Sequence, residues 1–179
     1  MDDAAGVGEV MAAAKLIAGL PRRPRRTIRV ALFGAEETGG SAGPYAETRL
    51  AEQPKHVIAA EADSGGDRVT VVELPAGGYR TPFGQALGRV LTPLGRDPIL
   101  SPRPTSDFGA DLSRLRDVPK ALVQQDLMRY FDVHHSADDT LDRVDRRQLA
   151  QATAVWAAFT YLAADSDVDF RAAAPAPAR

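Results

Sequence analysis

Acidic residues and histidines gather at four places along the 179-residue chain. Glu36 and Glu37 are adjacent, just past the apolar run at residues 27–33. Asp63 follows a second apolar run in "HVIAAEADSGG", His134 and His135 are adjacent within "YFDVHHSADDTLD", and Asp2 opens a helix-like stretch. Carboxylates that come within a few ångströms of one another repel unless one is protonated or a cation lies between them. Oxygen and imidazole donors without thiolate suit zinc, manganese or cobalt. Neighbouring side chains point in different directions, so one glutamate can bind metal while the other faces substrate as a general base. Metal-assisted hydrolysis requires that division of labour. Each cluster alone also fits a loop or a helix cap. The metal reading rests on their joint order: acidic helix start, strand and Glu-Glu, strand and Asp, His-His.

A rival motif lies in the same region. Gly39-Gly40-Ser41-Ala42-Gly43 matches the G-x-S-x-G nucleophile elbow, which would make Ser41 the nucleophile of a serine hydrolase. An elbow serine follows its strand directly, whereas residues 34–40 separate Ser41 from the apolar run. The isolated His56 reads as structural. No phosphate-binding glycine motif of the G-x-x-x-x-G-K-[ST] or strand-linked G-x-G-x-x-G type is present.

These residues need strands and helices to place them. Residues 3–20 carry Val7, Val10, Met11, Ala14 and Ile17 at helical spacing. "RRPRR" at 22–26 reads as a solvated connector. Residues 27–33 and 56–62 read as strands buried on both faces, as in a helix-covered parallel sheet. Residues 69–74 suggest a shorter, more exposed strand, and 120–124 another. A short helix is expected near 44–51 and a longer one over 81–94. Asp145 and Gln148 resemble a capping box. It opens a last helix with Leu149, Ala152, Trp156 and Phe159 facing inward. The alternation argues an α/β fold with a mixed, mostly parallel central sheet between helices. Open α/β sheets bind ligands beyond the carboxyl ends of their strands, where Glu36, Glu37 and Asp63 would lie. One domain over 1–165 with a disordered Ala/Pro-rich tail over 166–179 is expected.

The net charge of −2 gives no support for nucleic-acid binding. No window holds the roughly 18 apolar residues of a membrane span. The absence of cysteine excludes thiolate metal sites, thiol nucleophiles and disulfides.

The pieces "DDAAG", "RRTIRVALFGAEETG", "EADSG", "GADLSRL" and "YFDVHHSADDTLD" resemble the dinuclear-zinc exopeptidases of the aminopeptidase family, in the carboxypeptidase Q-like branch. The resemblance runs from Asp2 to about Tyr161. It implies two zinc ions, a zinc-exopeptidase (phosphorylase/hydrolase-like) fold, and removal of a terminal residue from a peptide or dipeptide. It implies Asp2 as the bridging ligand, followed by Asp3 across an unusual peptide bond, Glu37 and His135 as ligands of one zinc and Asp63 of the other. Glu36 would be the general base and Tyr130 an oxyanion stabiliser. A further histidine ligand and the early strands of the family would lie upstream of Asp2. The expectation is therefore a C-terminal part of a longer, exported (periplasmic or secreted) enzyme, inactive alone and prone to self-association. A non-catalytic metal-binding remnant that needs a partner chain is the alternative.

Overall fold

Ala4 to Ala18 form helix α1 because the run is rich in alanine, the best helix former, and because Asp3 caps it. The Asp3 carboxylate accepts from the Gly6 N–H at 3.0 Å. The computed structural model describes residues 1–75, 77–94, 99–101 and 109–171 of the chain. After α1 come α2 (Ala42–Thr48), β1 (Val69–Glu73), α3 (Pro82–Leu91), β2 (Ile99–Ser101), β3 (Leu122–Gln125), α4 (Tyr130–Val133) and α5 (Arg146–Asp165).

The strands form a three-stranded sheet in the order β2-β1-β3. β2 runs parallel to β1 with Val72 opposite Leu100, and β3 runs antiparallel with Val72 opposite Val123. Among the described residues the sheet is thus mixed, with one pair of each sense. Helix α5 packs on β1 and is flanked by α1 and α3. Val69, Val72, Leu87, Ala152 and Val155 are buried at their junction. Side-chain amides replace missing ladder bonds at the start of β1. Gln151 accepts from the Val69 N–H at 2.8 Å and donates to the Val69 carbonyl at 3.0 Å.

Several expectations need correction. Residues 27–33 pair with no strand among the described residues, and Leu32 is 52% exposed. An apolar run makes a strand only if a partner offers its backbone. Here side chains hold it instead: Arg29 reaches Tyr45 and Glu52, and the Phe33 ring meets Tyr45 edge-on at 5.4 Å. Residues 56–62 make only an isolated parallel bridge, Ala59 to Lys120. The strand at Val69–Glu73, expected to be exposed, is the centre of the sheet.

Helix α1 turns a different face inward. Ala5, Glu9, Ala13 and Ile17 are buried at a four-residue spacing, while Val7 (40% exposed) and Met11 (51%) look outward. Small side chains let α1 approach α5 closely, and that contact outweighs the larger apolar residues on the other face. The "RRPRR" segment is not merely solvated. Arg22 pairs with Asp165 through both carboxylate oxygens, and Arg26 donates to the carbonyls of Ala163 and Ser166 at the end of α5. Cations there meet the negative end of the helix dipole. Only half of the capping box forms. Asp145 accepts from the N–H groups of Arg147 and Gln148, but the Gln148 side chain accepts from Arg68 N–H. The packed chain also runs past 165, because Phe170 is 1% exposed and stacks edge-on against Phe83 at 5.2 Å. The Ala/Pro-rich residues from 172 onward lie outside the described residues.

Candidate metal centre

Three separate segments deliver the expected side chains. The first is the start of α1. A Cβ at Gly6 would lie 2.6 Å from the Ala62 carbonyl oxygen, so only glycine lets the first turn press against the segment that carries Asp63. The Asp2–Asp3 peptide bond is cis. The second is a closed turn over residues 34–40. Its backbone bonds run from Gly39 N–H to the Glu36 carbonyl and from Gly40 N–H to the Ala35 carbonyl, at 2.7 and 2.9 Å. The Ser41 hydroxyl accepts from Ala35 N–H at 3.3 Å, its one side-chain hydrogen bond among the described residues. The third is α4 and the tight turn after it, where His135 adopts a positive φ of 55°.

These segments meet at one point. The Nε2 atom of His135 lies 2.7 Å from Glu37 Oε1 and 3.3 Å from Asp2 Oδ2. His134 Nε2 is 3.6 Å from the same Asp2 oxygen, and its ring stacks on His135 with centroids 3.7 Å apart. Asp2, His134 and His135 each offer one donor atom within 4.8 Å of the others, a spacing that could hold a metal ion. The other Asp2 oxygen accepts from the Tyr130 hydroxyl at 3.0 Å. Asp139 accepts from the Asp2 N–H at 2.8 Å and pairs with the Met1 amine, so the turn that presents the histidines also fixes the start of α1. An open cleft of ≈ 440 Å³ is lined by Asp2, Glu37, His135, Ser136 and Asp139.

Thus Asp2, Glu37 and His135 come together, with Tyr130 bonded to Asp2. Glu36 and Asp63 stand beside them and sense one another electrostatically, without a direct hydrogen bond. Two contributors escaped the sequence reading. His134 was named only as a neighbour of His135, yet it points at the same carboxylate. Asp139 lay inside the quoted "HHSADDT" stretch, but a carboxylate that grips a backbone N–H 137 residues away has no local signature.

A cation here would relieve the electrostatic crowding of the carboxyls. Burial pushes the Asp3 carboxyl up to about 8, with Asp63, Asp2 and Glu61 adding to it and the Gly6 N–H opposing. Asp63 rises to about 6 through burial and then the charges of Glu36, Asp2, Glu37 and Asp111. Glu61 rises to about 7 and Asp111 is also raised, both chiefly by burial. His135 is raised above its ordinary value, first by its bond to Glu37. Each of these carboxyls holds its proton to a higher pH than it would in water, and a divalent ion would offset the same crowded charge. Carboxylate and imidazole donors with a depleted cation supply fit zinc or a similar ion.

A pH dependence follows. Each raised carboxyl binds its proton more tightly folded than unfolded, so stability falls as pH rises from the ordinary carboxylate range through the folded values. His135 acts in the same sense, because its stabilising charge is lost as pH rises through its folded value. After discounting partly exposed Asp63 for solvent screening, the metal-free chain is expected to melt roughly 10 °C lower at pH 8 than at pH 5. Thermal unfolding followed by circular dichroism in chelator checks this. A melting point that rises with pH would contradict the arrangement.

A profile of peptidase family M28 matches residues 1–160. Carboxypeptidase Q of Mus musculus is 33% identical over 168 residues, 93% of this chain and 35% of that protein. The Homo sapiens protein of the same name is 32% identical with the same coverage. The crystal structure of a peptidase M28 precursor from Shewanella amazonensis SB2B is 39% identical and matches with a TM-score of 0.86, covering 100% of this chain and 40% of that one. The chain spans 35% of the length of these curated relatives.

Proposed function

Because the chain belongs to peptidase family M28, we propose that it carries the metal centre of a zinc-dependent exopeptidase acting on peptides or dipeptides. The observation that carries this reading is the meeting of Asp2 and Glu37 within 3.3 Å of one His135 imidazole nitrogen, beside an Asp63 carboxyl that burial and neighbouring charges push up to about 6. Asp2, Glu37 and His135 would bind one ion. Asp2 and Asp63 would face a second, and His134 is an added donor to the Asp2 side. The mostly parallel sheet of a zinc exopeptidase and an exported location belong to the same proposal.

Bound zinc would polarise the scissile carbonyl and activate water. The chain's own residues do the rest. Glu36, next to the ligand Glu37 and projecting differently, takes the proton of the attacking water and passes it to the leaving amine. Tyr130 holds Asp2 in place through its hydroxyl. It could serve a developing oxyanion only by giving up that bond. The Ser41 hydroxyl accepts from the Ala35 N–H, and among the described residues no histidine is hydrogen-bonded to it as a base, which favours metal chemistry over a serine nucleophile.

Dipeptide hydrolysis by the catalytically competent protein that chelator abolishes and zinc restores, with Ser41→Ala unchanged, is the expected result. Activity that survives chelation and dies in Ser41→Ala would transfer the chemistry to the serine. A second reading, a non-catalytic metal-binding module seated on a partner chain or on a second copy, draws on the exposure of Val7, Met11, Leu16 and Leu32. Dipeptide turnover by the purified chain would remove it.

A further inference from the structure

The buried stripe of α1 contains one residue that does not belong in a core. Glu9 is 0% exposed, between Ala5 and Ala13, where leucine would pack without the penalty of an ionisable group. Its Oε2 accepts from Gln125 Nε2 at 3.0 Å. The same Gln125 nitrogen donates to the Gly65 carbonyl at 3.3 Å. Gly65 has a φ of +78°, and a Cβ there would lie 2.9 Å from Cδ2 of Tyr130. Tyr130 in turn donates to Asp2 at the head of α1. The contacts close a ring: Glu9, Gln125, Gly65, Tyr130, Asp2, and back along the helix to Glu9.

We propose that Glu9 and Gln125 are positioning residues for the metal centre, holding Gly65 so that Tyr130 and the Asp2 carboxylate keep their bond. The inference rests on the metal reading above. The ring is made of one strand end, one glycine turn and two helices, so a shift at Gln125 is passed to Asp2 through packed atoms. Burial pushes the Glu9 carboxyl up to about 8, with the Asp3 charge next, against the opposing Trp156 and Gln125. The Trp156 indole N–H stands near that carboxyl but outside hydrogen-bond geometry, and Glu9 Oε1 and Gln125 Oε1 also lack partners among the described residues. A neutral acid suits such a site, since its hydroxyl can donate while its carbonyl accepts. Outer partners of metal ligands commonly matter ~10–100-fold to metal affinity.

The test is zinc affinity of the full chain, by competition with a chromophoric chelator, together with the visible spectrum of the Co²⁺-loaded chain. Glu9→Leu is expected to weaken zinc about 10–100-fold and to change the Co²⁺ spectrum. Glu9→Gln, which keeps an acceptor for Gln125, should return to within about threefold of the parent, because the tie survives. Gln125→Leu should reproduce the Glu9→Leu loss, and the double variant should be no weaker than either, as for residues acting through one contact. If Glu9→Leu does not fold, Gln125→Leu carries the test. Folded variants with parental zinc affinity and spectrum would overturn the positioning role and leave the metal centre standing. A parent chain that binds no zinc, like His135→Ala, would overturn both.

Discussion

Glu36→Gln is expected to lower dipeptide hydrolysis by the catalytically competent protein by roughly 10²–10⁴-fold, the usual worth of a positioned general base. Zinc content should stay at the parental level. The two outcomes separate because the turn at residues 34–40 is held by its backbone and by Ser41, none of which uses the Glu36 side chain. Glutamine keeps the shape and the hydrogen-bonding capacity but cannot accept the proton. The neighbouring Glu37 contacts His135 and would still hold its ion. The loss should fall on kcat and leave KM nearly unchanged, since the base acts in the transition state. Parental turnover in Glu36→Gln would remove Glu36 from the role, and Asp63 would become the next carboxylate to examine.

The second large effect concerns stability. Saturating zinc is expected to raise the melting temperature at pH 8 by about 10 °C, because ligand at ~100 times its dissociation constant contributes roughly 2.7 kcal/mol. At pH 8 Asp63 and Glu61 have lost the protons they bind at lower pH, so the ion would offset the carboxylate charge left there, and it requires His135 neutral. The shift should therefore shrink toward pH 5, where protons compete. His135→Ala should abolish most of it at either pH. That variant removes a side chain 53% exposed, so the metal-free protein should melt close to the parent, and the comparison isolates the ion. An undiminished zinc shift in His135→Ala would place the ion elsewhere.

The candidate site was legible in residue types and order well before geometry. Asp2, Glu37 and His135 are far apart in sequence yet Asp2 and Glu37 meet at the His135 Nε2 nitrogen, and carboxylate and imidazole are the donor types that a metal reading singles out. The cap of α5 was also legible, since an aspartate at a helix start acts on its own next residues. What was hidden depends on distant partners. Residues 27–33 are as apolar as a strand, but pairing is a property of two segments. The inner face of α1 was decided by its approach to α5, which favours Ala5, Ala13 and a buried Glu9 over Val7 and Met11. "RRPRR" looked like a solvated charge run because its partners, Asp165 and the carbonyls closing α5, lie some 140 residues later. Phe170 belongs to the core for a similar reason: its polar neighbours suggest a tail, while Phe83 supplies the pocket wall.

The most direct test of the metal centre is zinc retained per chain. The purified protein would be loaded with zinc at pH 8, dialysed against metal-free buffer, and measured by elemental analysis beside Asp2→Asn and His135→Ala. At least one tightly held zinc per parent chain, lost in both variants, is the predicted result. A parent that retains none, or variants that retain as much as the parent, would contradict a metal centre built on Asp2, Glu37 and His135.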